Sequence, residues 1–203
     1  MALREEQILR YSRQILLREV GGRGQEKLLA GGVRLKAAGT AGLTAAAYVA
    51  AGGTAVEAGP ELLSSGAEGF LVQAEEVGRP GAEVLARVLP DVNADALPAR
   101  GTGRLAELPA LWDGEGPWVA LGGDGTRGVA VFRGATGCAG CFEATTAALG
   151  APPSGALGVG LGALGALLLQ RLLLGMEPAL GACGWEAPGV LTDLPVRRCA
   201  RCG

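Results

Sequence analysis

The chain has 203 residues, of which 18 are Lys or Arg and 20 are Asp or Glu, so its net charge is −2. This length suits one domain with a substantial core, and we treat residues 1–203 as a single domain. The balanced charge offers no basic surface to nucleic acid or to an acidic membrane, and we expect neither as a partner. Histidine is absent, which excludes Ser-His-Asp and Cys-His nucleophilic catalysis and histidine metal sites.

The N-terminal part of the chain predicts helices followed by alternating strands and helices. Residues 4–18 predict an amphipathic helix, because apolar side chains recur there at helical spacing. Its predicted apolar face consists of Ile8, Tyr11, Ile15 and Leu16. Glycines at positions 21, 22 and 24 are expected to end it. The segments that follow predict a short helix at 25–30, a strand at 33–38, a helix at 43–51 and a strand at 54–58.

The middle of the chain continues this alternation. Residues 59–81 are rich in Pro, Gly and Ser and predict a loop. Residues 82–89 predict a short helix that ends before Pro90. Apolar runs at 118–121 and 129–132 predict two more strands. Strands that alternate with helices are typical of a layered α/β fold with a mostly parallel sheet.

An apolar stretch near the C-terminus could be mistaken for a membrane span. Residues 155–169 carry no charge, but they are too few to cross a bilayer, and Pro152 and Pro153 precede them. We expect a buried helix that ends near Gly175, followed by a tail rich in Gly and Pro. The first six residues, Met-Ala-Leu-Arg-Glu-Glu, are too charged for a secretory signal, so we expect a cytoplasmic protein.

Four of the five cysteines form two Cys-x-x-Cys pairs, Cys138 with Cys141 and Cys199 with Cys202. Four thiolates can complete a tetrahedral shell around one Zn²⁺ and leave no position for a catalytic water, so we expect a structural metal. The alternatives are disulfides and a thioredoxin-type redox pair. Neither pair is predicted to open a helix, which argues against the redox motif.

Several segments, taken in order, carry a resemblance to a known family. Arg-Tyr-Ser-Arg-Gln-Ile-Leu-Leu at 10–17 and Gly-Gln-Glu-Lys-Leu at 24–28 look like a pair of N-terminal helices, and Val-Gly-Arg-Pro at 77–80 looks like a Val-Gly-Gln-Pro motif. Together with segment 33–53, the apolar helix at 162–175 and the two cysteine pairs, they make the chain resemble the MoeB/ThiF/HesA family, relatives of ubiquitin-activating enzymes. It looks like a shortened and degenerate member.

The resemblance implies a Rossmann-like α/β fold with a mostly parallel sheet, N-terminal helices and a C-terminal zinc-stapled region. It divides the domain into dimerisation helices at 1–30, a reduced nucleotide-binding-like core at 31–135 and the stapled region at 136–203. Members of the family use ATP and Mg²⁺ to adenylate the C-terminal glycine of a ubiquitin-like or sulfur-carrier protein. Such chemistry needs backbone N–H groups near the phosphates, acidic groups for ribose and metal, and cations for the reacting phosphates.

The glycine loop of the family is weakened in this chain. Its Gly-x-Gly-x-x-Gly motif reads Ala37-Ala-Gly39-Thr-Ala-Gly42, so only Gly39 and Gly42 remain as candidate nucleotide-binding residues. The alternative is an ordinary turn from a strand into a helix. Lys36 is a further departure, because a lysine on a fully buried strand is costly unless the sheet is less covered there.

Other nucleotide-binding groups of the family are replaced. Glu57 or Glu61 could substitute for the ribose ligand, or both could be surface carboxylates. Glu68 stands where the family has a phosphate-contacting Arg, and Gly81 stands where it has a catalytic Lys. Asp124 matches the metal-side Asp, or it merely caps a turn. Because several charged groups are missing together, bound ATP and Mg²⁺ are doubtful cofactors, whereas zinc is expected.

The sulfur-transferring members of the family carry an acceptor cysteine, and its nearest position in this chain is Ala148. Cys183 lies elsewhere in the sequence and is expected to be a small buried residue.

Arg13 matches an Arg that reaches across the dimers of the family to the partner's ATP, and an arginine supplied in trans can stabilise transition-state charge. The alternative is one more solvated charge on a helix. The sequence therefore suggests a pseudoenzyme that forms a homodimer, or a heterodimer with an active paralogue, and possesses no adenylating activity of its own. The other hypotheses are an active adenylyltransferase with substituted ligands and a pure protein-binding module.

Overall fold

The computed structural model describes residues 2–67, 71–96, 103–109, 116–186 and 189–203. Within these residues seven strands form one sheet. The strands are β1 (Gly32–Lys36), β2 (Ala55–Ala58), β3 (Gly103–Glu107), β4 (Trp118–Gly123), β5 (Gly128–Arg133), β6 (Leu180–Glu186) and β7 (Val190–Leu194). The helices are α1 (Glu5–Arg10), α2 (Ser12–Ile15), α3 (Gly21–Ala30), α4 (Thr40–Ala51), α5 (Gly81–Val92), α6 (Ala139–Thr146) and α7 (Gly155–Leu174), and residues Ala74–Glu76 form one 3₁₀ turn.

The sheet has a parallel part and an antiparallel part. Its strand order is β2-β1-β3-β4-β5-β6-β7. Strands β2, β1, β3 and β4 run parallel to one another, while β5, β6 and β7 each pair antiparallel with the strand before them. The predicted α/β fold class is confirmed. Because the carboxyl ends of parallel strands meet at one edge, the ends of β1 and β3 lie side by side, and this edge positions the candidate site.

Helices α4 and α7 pack against each other and against one face of the sheet. The core beneath them is fully buried and aliphatic, and its largest members include Leu35, Leu105, Leu121, Leu161 and Leu169. The two helices approach closely, since a Cβ on Gly162 would lie 2.2 Å from the carbonyl oxygen of Ala41. Small residues at the contact therefore let the two backbones touch.

Helix α7 is the predicted apolar helix, and it runs five residues beyond the uncharged stretch, through Gln170 and Arg171. It ends at Gly175, which adopts a left-handed conformation with φ of 78°. Among the described helices, α7 alone is long and apolar enough to cross a membrane, judged by length and composition. Its inner face, however, packs on α4 and the sheet as the core helix of a globular domain does.

The N-terminal helix is not continuous. It breaks at Tyr11 into α1 and α2, and only Tyr11 of the predicted apolar face is buried, whereas Ile8 and Leu16 are 47% and 83% exposed. The hydroxyl of Tyr11 accepts a hydrogen bond from the amide of Asn93 and donates one to the carboxylate of Asp95, so a polar network holds this segment. The predicted glycine break was also wrong, because Gly21 begins α3.

Several elements depart from the prediction. Helix α5 continues through Pro90 to Val92, although the proline removes one backbone hydrogen bond from its last turn. The tail rich in Gly and Pro forms the β6–β7 hairpin, and β3 and α6 were missed as well. Gly181 in β6 makes room for an aromatic ring, because a Cβ there would lie 2.3 Å from Cζ of Phe132. Pairing with β5 and β7 outweighs the low strand propensity of glycine.

The position of Lys36 agrees with a sheet that is open on one face. Val33 and Leu35 point to the core and are 1% exposed, while Arg34 and Lys36 on the opposite face are only partly buried. Arg34 forms a 3.8 Å ion pair with Glu57 of β2, and both side chains reach solvent. The charged residues of β1 therefore avoid full desolvation.

Candidate functional site

A cavity of about 320 Å³ opens at the carboxyl ends of β1 and β3. Its walls come from the end of β1, the start of α4, the loop after β2, the end of β3 and the segment before α7. The polar and charged lining residues are Lys36, Thr40, Glu61, Ser64, Ser65, Glu107 and Ser154. Gly39 of the predicted pair also lines the cavity, and Gly42 lies one helical turn further along α4. The loop is the predicted turn from a strand into a helix, and it forms one wall of the cavity.

The carboxylate of Glu107, the last residue of β3, occupies the N-terminus of α4. Its Oε2 atom accepts hydrogen bonds from the backbone N–H groups of Ala38 and Gly39 at 2.8 and 2.7 Å. Its Oε1 atom accepts the N–H of Gly42 at 2.7 Å. Glu107 is only 8% exposed, so three charge-assisted bonds compensate the burial of its charge.

Both retained glycines pack around this carboxylate. A Cβ on Gly39 would lie 3.2 Å from Oε1 of Glu107. A Cβ on Gly42 would lie 3.1 Å from Cδ of Glu107 and only 2.1 Å from Cβ of Ala37. The glycines therefore let the loop backbone approach an acidic side chain of the same chain. The free N–H groups at a helix N-terminus favour an anion, and Glu107 supplies it.

Gly81, which the resemblance matches to a catalytic Lys, lies near the cavity and adds no positive charge. Gly81 opens α5, and its N–H donates to the carbonyl oxygen of Glu61 at 2.8 Å. A Cβ at Gly81 would lie 3.7 Å from the carbonyl oxygen of Ala37, so this position is close to the end of β1. Oε2 of Glu61 is buried without a hydrogen-bond partner among the described residues. Glu68 lies outside the described residues.

Asp124 is engaged in a turn between β4 and β5. Its Oδ1 accepts the N–H groups of Thr126 and Arg127 at 3.1 Å, and its Oδ2 pairs with Nε of Arg127 at 2.7 Å. Desolvation alone would raise the pKa of Asp124, but the hydrogen bonds from Arg127 and Thr126 outweigh it and hold the pKa well below its usual range. The geometry is that of a turn cap, and Asp124 does not line the cavity of 320 Å³.

Arg13 lies on α2 with its side chain exposed. It does not line the cavity of its own chain, and it forms no ion pair with another described residue. An exposed guanidinium without an ion pair among the described residues is available to another molecule.

The two cysteine pairs come together in space. The four Sγ atoms of Cys138, Cys141, Cys199 and Cys202 lie within 4.8 Å of one another. The Cys138–Cys199 and Cys138–Cys202 sulfur distances are 3.7 and 3.6 Å. A tetrahedral site with Zn–S bonds of about 2.3 Å requires sulfur separations near ~3.8 Å, so the cluster fits zinc. These distances far exceed the S–S bond of about 2.05 Å in a disulfide.

The first cysteine pair does open a helix, contrary to the prediction. Cys138 is the N-cap of α6 and follows β5, and Cys141 lies in the first turn. The backbone N–H of Cys141 lowers the pKa of Cys138 to about 6, whereas the hydrogen bond to Cys138 raises the pKa of Cys202 to about 12. The second cysteine pair within 4.8 Å of the first, and not the absence of a helix, distinguishes a metal site from a redox pair.

Cys183 is 9% exposed on β6, and burial raises the pKa of its thiol, as expected of a small buried residue. Ala148 lies exposed in the turn after α6.

Glu107 was missed by the sequence analysis. The signal that could have found it is an acidic residue after the two apolar residues Leu105 and Ala106, at the point where a strand would end beside the glycine loop. That signal is weak, since it depends on recognising β3 between two segments without clear periodicity.

Comparison with known proteins gives a fold and no closer relationship. No protein-family model and no curated protein matches the sequence. Among solved structures, E. coli MccB with ATP is 17% identical with a TM-score of 0.67, over 96% of this chain and 73% of MccB. The microcin C7 biosynthetic enzyme MccB in complex with N-formylated MccA is 16% identical, with a TM-score of 0.68, over 96% of this chain and 75% of that one. PaaA is 14% identical with a TM-score of 0.71, over 95% of this chain and 84% of PaaA.

Proposed function

We propose that this chain is a non-catalytic relative of the MoeB/ThiF/HesA adenylyltransferases and works as a partner subunit in the activation of a ubiquitin-like or sulfur-carrier protein. Its support begins with a fold shared with MccB, a protein solved with ATP. The arrangement of the N-terminal helices, the strand-turn-helix pocket and the cysteine cluster follows the order that the family resemblance implies.

The observation that carries the proposal is the charge of the cavity. Among its described lining residues Lys36 is the one cation, whereas Glu61 and Glu107 contribute two carboxylates. Adenylation needs cations that neutralise the reacting phosphates, and the position of Gly81 supplies none. Asp124, the candidate metal ligand, is held by Arg127. A polyphosphate in this cavity would meet net negative charge and would be repelled.

The proposed contribution to a partner is Arg13, which is exposed and forms no ion pair with another described residue. In a heterodimer with an active paralogue, Arg13 reaches the partner's nucleotide and stabilises the charge of the transition state. In a homodimer the chain contributes architecture alone, because neither copy holds ATP. The cysteine cluster holds a structural zinc ion, and the protein works in the cytoplasm. Zinc supplies stability there and no chemistry, because four thiolates leave no open position for water.

The test combines binding with reconstitution. Calorimetry with ATP·Mg²⁺ is expected to give no micromolar binding to the isolated chain. An active paralogue from the same host is expected to gain adenylating activity from the wild-type chain and from Arg18→Ala, and to lose most of that gain with Arg13→Ala. Arg18 is the matched control because it is another exposed Arg of the N-terminal segment.

Two outcomes would contradict the proposal. Micromolar ATP binding together with carrier-dependent pyrophosphate exchange by the isolated chain would identify a working adenylyltransferase. Equal activity with Arg13→Ala and Arg18→Ala would leave a pure protein-binding module.

A further inference from the structure

The N–H groups that open α4 are already occupied by an acidic side chain of the same chain. We propose that Glu107 is an internal anion that takes the phosphate position of the glycine loop and thereby sets the ligand class of the cavity. With Glu107 in place the loop rejects phosphate esters, and with its carboxylate removed the loop binds a phosphate-sized anion. The inference rests on the proposed function, because both treat the cavity as one that does not hold ATP.

The first argument is the number of donors that Glu107 uses. Both of its carboxylate oxygens are engaged, and together they take the N–H groups of Ala38, Gly39 and Gly42 at 2.7–2.8 Å. An amide N–H has one proton to give, so a phosphate could bind these donors only by displacing Glu107. A phosphate placed beside the carboxylate instead would meet a like charge at short range, where repulsion is strongest.

The second argument is that the position of Glu107 is fixed by the sheet. Glu107 is paired with Leu121 of β4, and the next residue donates its N–H to the carbonyl oxygen of Leu121 at 2.8 Å. On the other side, Ala106 is paired with Lys36 at the end of β1. The side chain is therefore anchored by two parallel neighbours, directly opposite the turn that leads into α4. Its 8% exposure leaves no solvated alternative without breaking three bonds.

The third argument is that the glycines fit the carboxylate. Gly39 and Gly42 bring the backbone so close that a Cβ on either would lie 3.2 or 3.1 Å from the Glu107 carboxyl group. Retained glycines in this loop are therefore explained by the internal anion. They do not require a nucleotide.

The experiment titrates inorganic pyrophosphate at constant ionic strength into wild type, Glu107→Ala and Glu107→Gln. Calorimetry and thermal unfolding report binding. Glu76→Ala is the matched control, because Glu76 is a carboxylate buried elsewhere that accepts the N–H of Gln73 at 2.9 Å. Phosphate salts stabilise proteins in general, so the quantity compared is the gain beyond that of Glu76→Ala.

Glu107→Ala is expected to melt below wild type and to bind pyrophosphate at least about tenfold more tightly, with a matching recovery of its melting temperature. Glu107→Gln still fills the position and is expected to gain little. Equal affinity in wild type, Glu107→Ala and Glu76→Ala would overturn the inference. Glu107→Ser replaces the alanine variant if that variant does not fold.

Amide NMR of the wild-type chain gives an independent answer. The Gly39 and Gly42 signals are expected to stay unchanged when pyrophosphate or ATP is added, and saturable shifts would overturn the inference. ATP bound by wild type with these signals unchanged would refute the proposed function and support the internal anion. If wild type does not bind ATP and Glu107→Ala does not bind pyrophosphate more tightly than wild type, the internal anion is refuted while the proposed function stands.

Discussion

The Oε1 atom of Glu107 lies 2.7 Å from the backbone nitrogen of Gly42, at a point where the chain has no room for a side chain. A Cβ on Gly42 would lie 2.1 Å from Cβ of Ala37. Gly42→Ala is therefore expected to lower the free energy of unfolding by about 1–3 kcal/mol, the usual cost of overpacking a core. Urea denaturation measures this loss.

The matched control for Gly42 is Gly22, inside α3, where a Cβ would meet no atom within 4 Å. Gly22→Ala is expected to raise stability by up to about 1 kcal/mol, because alanine loses less backbone entropy than glycine in a helix. Equal effects of the two substitutions would show that the loop is not tightly packed against Ala37 and Glu107.

The cysteine cluster predicts one zinc ion per chain. Cys199→Ala is expected to abolish stoichiometric zinc and to lower the melting temperature, because structural zinc contributes its binding free energy to folding. Cys183→Ala, which changes the cysteine outside the cluster, is expected to retain the metal. Elemental analysis measures the zinc content of each variant, and calorimetry measures its melting temperature. A wild-type chain that melts at the same temperature before and after a chelator would count against a structural metal.

Asp124 predicts a pH-dependent contribution to stability. Its pKa is held below the usual range by Arg127 and Thr126, so the folded state favours the ionised form. The contribution is complete above the ordinary aspartate pKa of about 4 and is lost as pH falls toward the lower folded-state pKa. Asp124→Asn is therefore expected to be less stable than wild type at pH 7, with a difference that shrinks at acid pH.

Urea unfolding at several pH values between neutrality and acid measures this difference. Asp91→Asn is the control, since Asp91 is exposed on α5 and forms no ion pair with another described residue. A difference between wild type and Asp124→Asn that stays constant with pH would contradict the role of the ion pair.

The sequence predicted the parts of the fold that local patterns specify. The apolar runs of β4, β5 and α7 are strong enough to be recognised alone, and so is the cysteine spacing. By contrast, β3 and the β6–β7 hairpin depend on pairing with strands far away in the sequence, and glycines in β6 conceal them. The helix break at Tyr11 depends on partners near residue 93, which no local pattern contains.

The sequence located the glycine turn, but it did not identify Glu107 as the carboxylate that the turn binds. Gly39 and Gly42 could be found because a glycine spacing is a local signal. Glu107 is 65 residues from Gly42 along the chain, and only the sheet register brings it to the loop. The turn-capping role of Asp124 is local and was one of two alternatives. Whether Arg13 serves a partner depends on a second chain, which the sequence of one chain does not specify.

The buried amide of Asn93 predicts a link between the core and the segment that carries Arg13. Its Nδ2 donates to Oη of Tyr11 and to the carbonyl oxygen of Ala50, both at 2.8 Å, and Asn93 is 2% exposed. Oη of Tyr11 in turn donates to Asp95 at 3.1 Å. Asn93→Ala removes the two hydrogen bonds that Asn93 donates to Tyr11 and Ala50. It is therefore expected to lower the free energy of unfolding by about 1–3 kcal/mol and to loosen α1 and α2.

Limited trypsin digestion distinguishes local loosening from global loss, because the arginines of the N-terminal segment are cleaved only when that segment opens. Asn93→Ala is expected to increase cleavage after Arg13 more than cleavage elsewhere. Tyr11→Phe, which removes only the hydroxyl, is expected to show a smaller effect in the same direction. Tyr48→Phe is the control, since Tyr48 is 53% exposed on α4. Uniform acceleration of cleavage across the chain would show that Asn93 stabilises the whole fold and does not position the segment that presents Arg13.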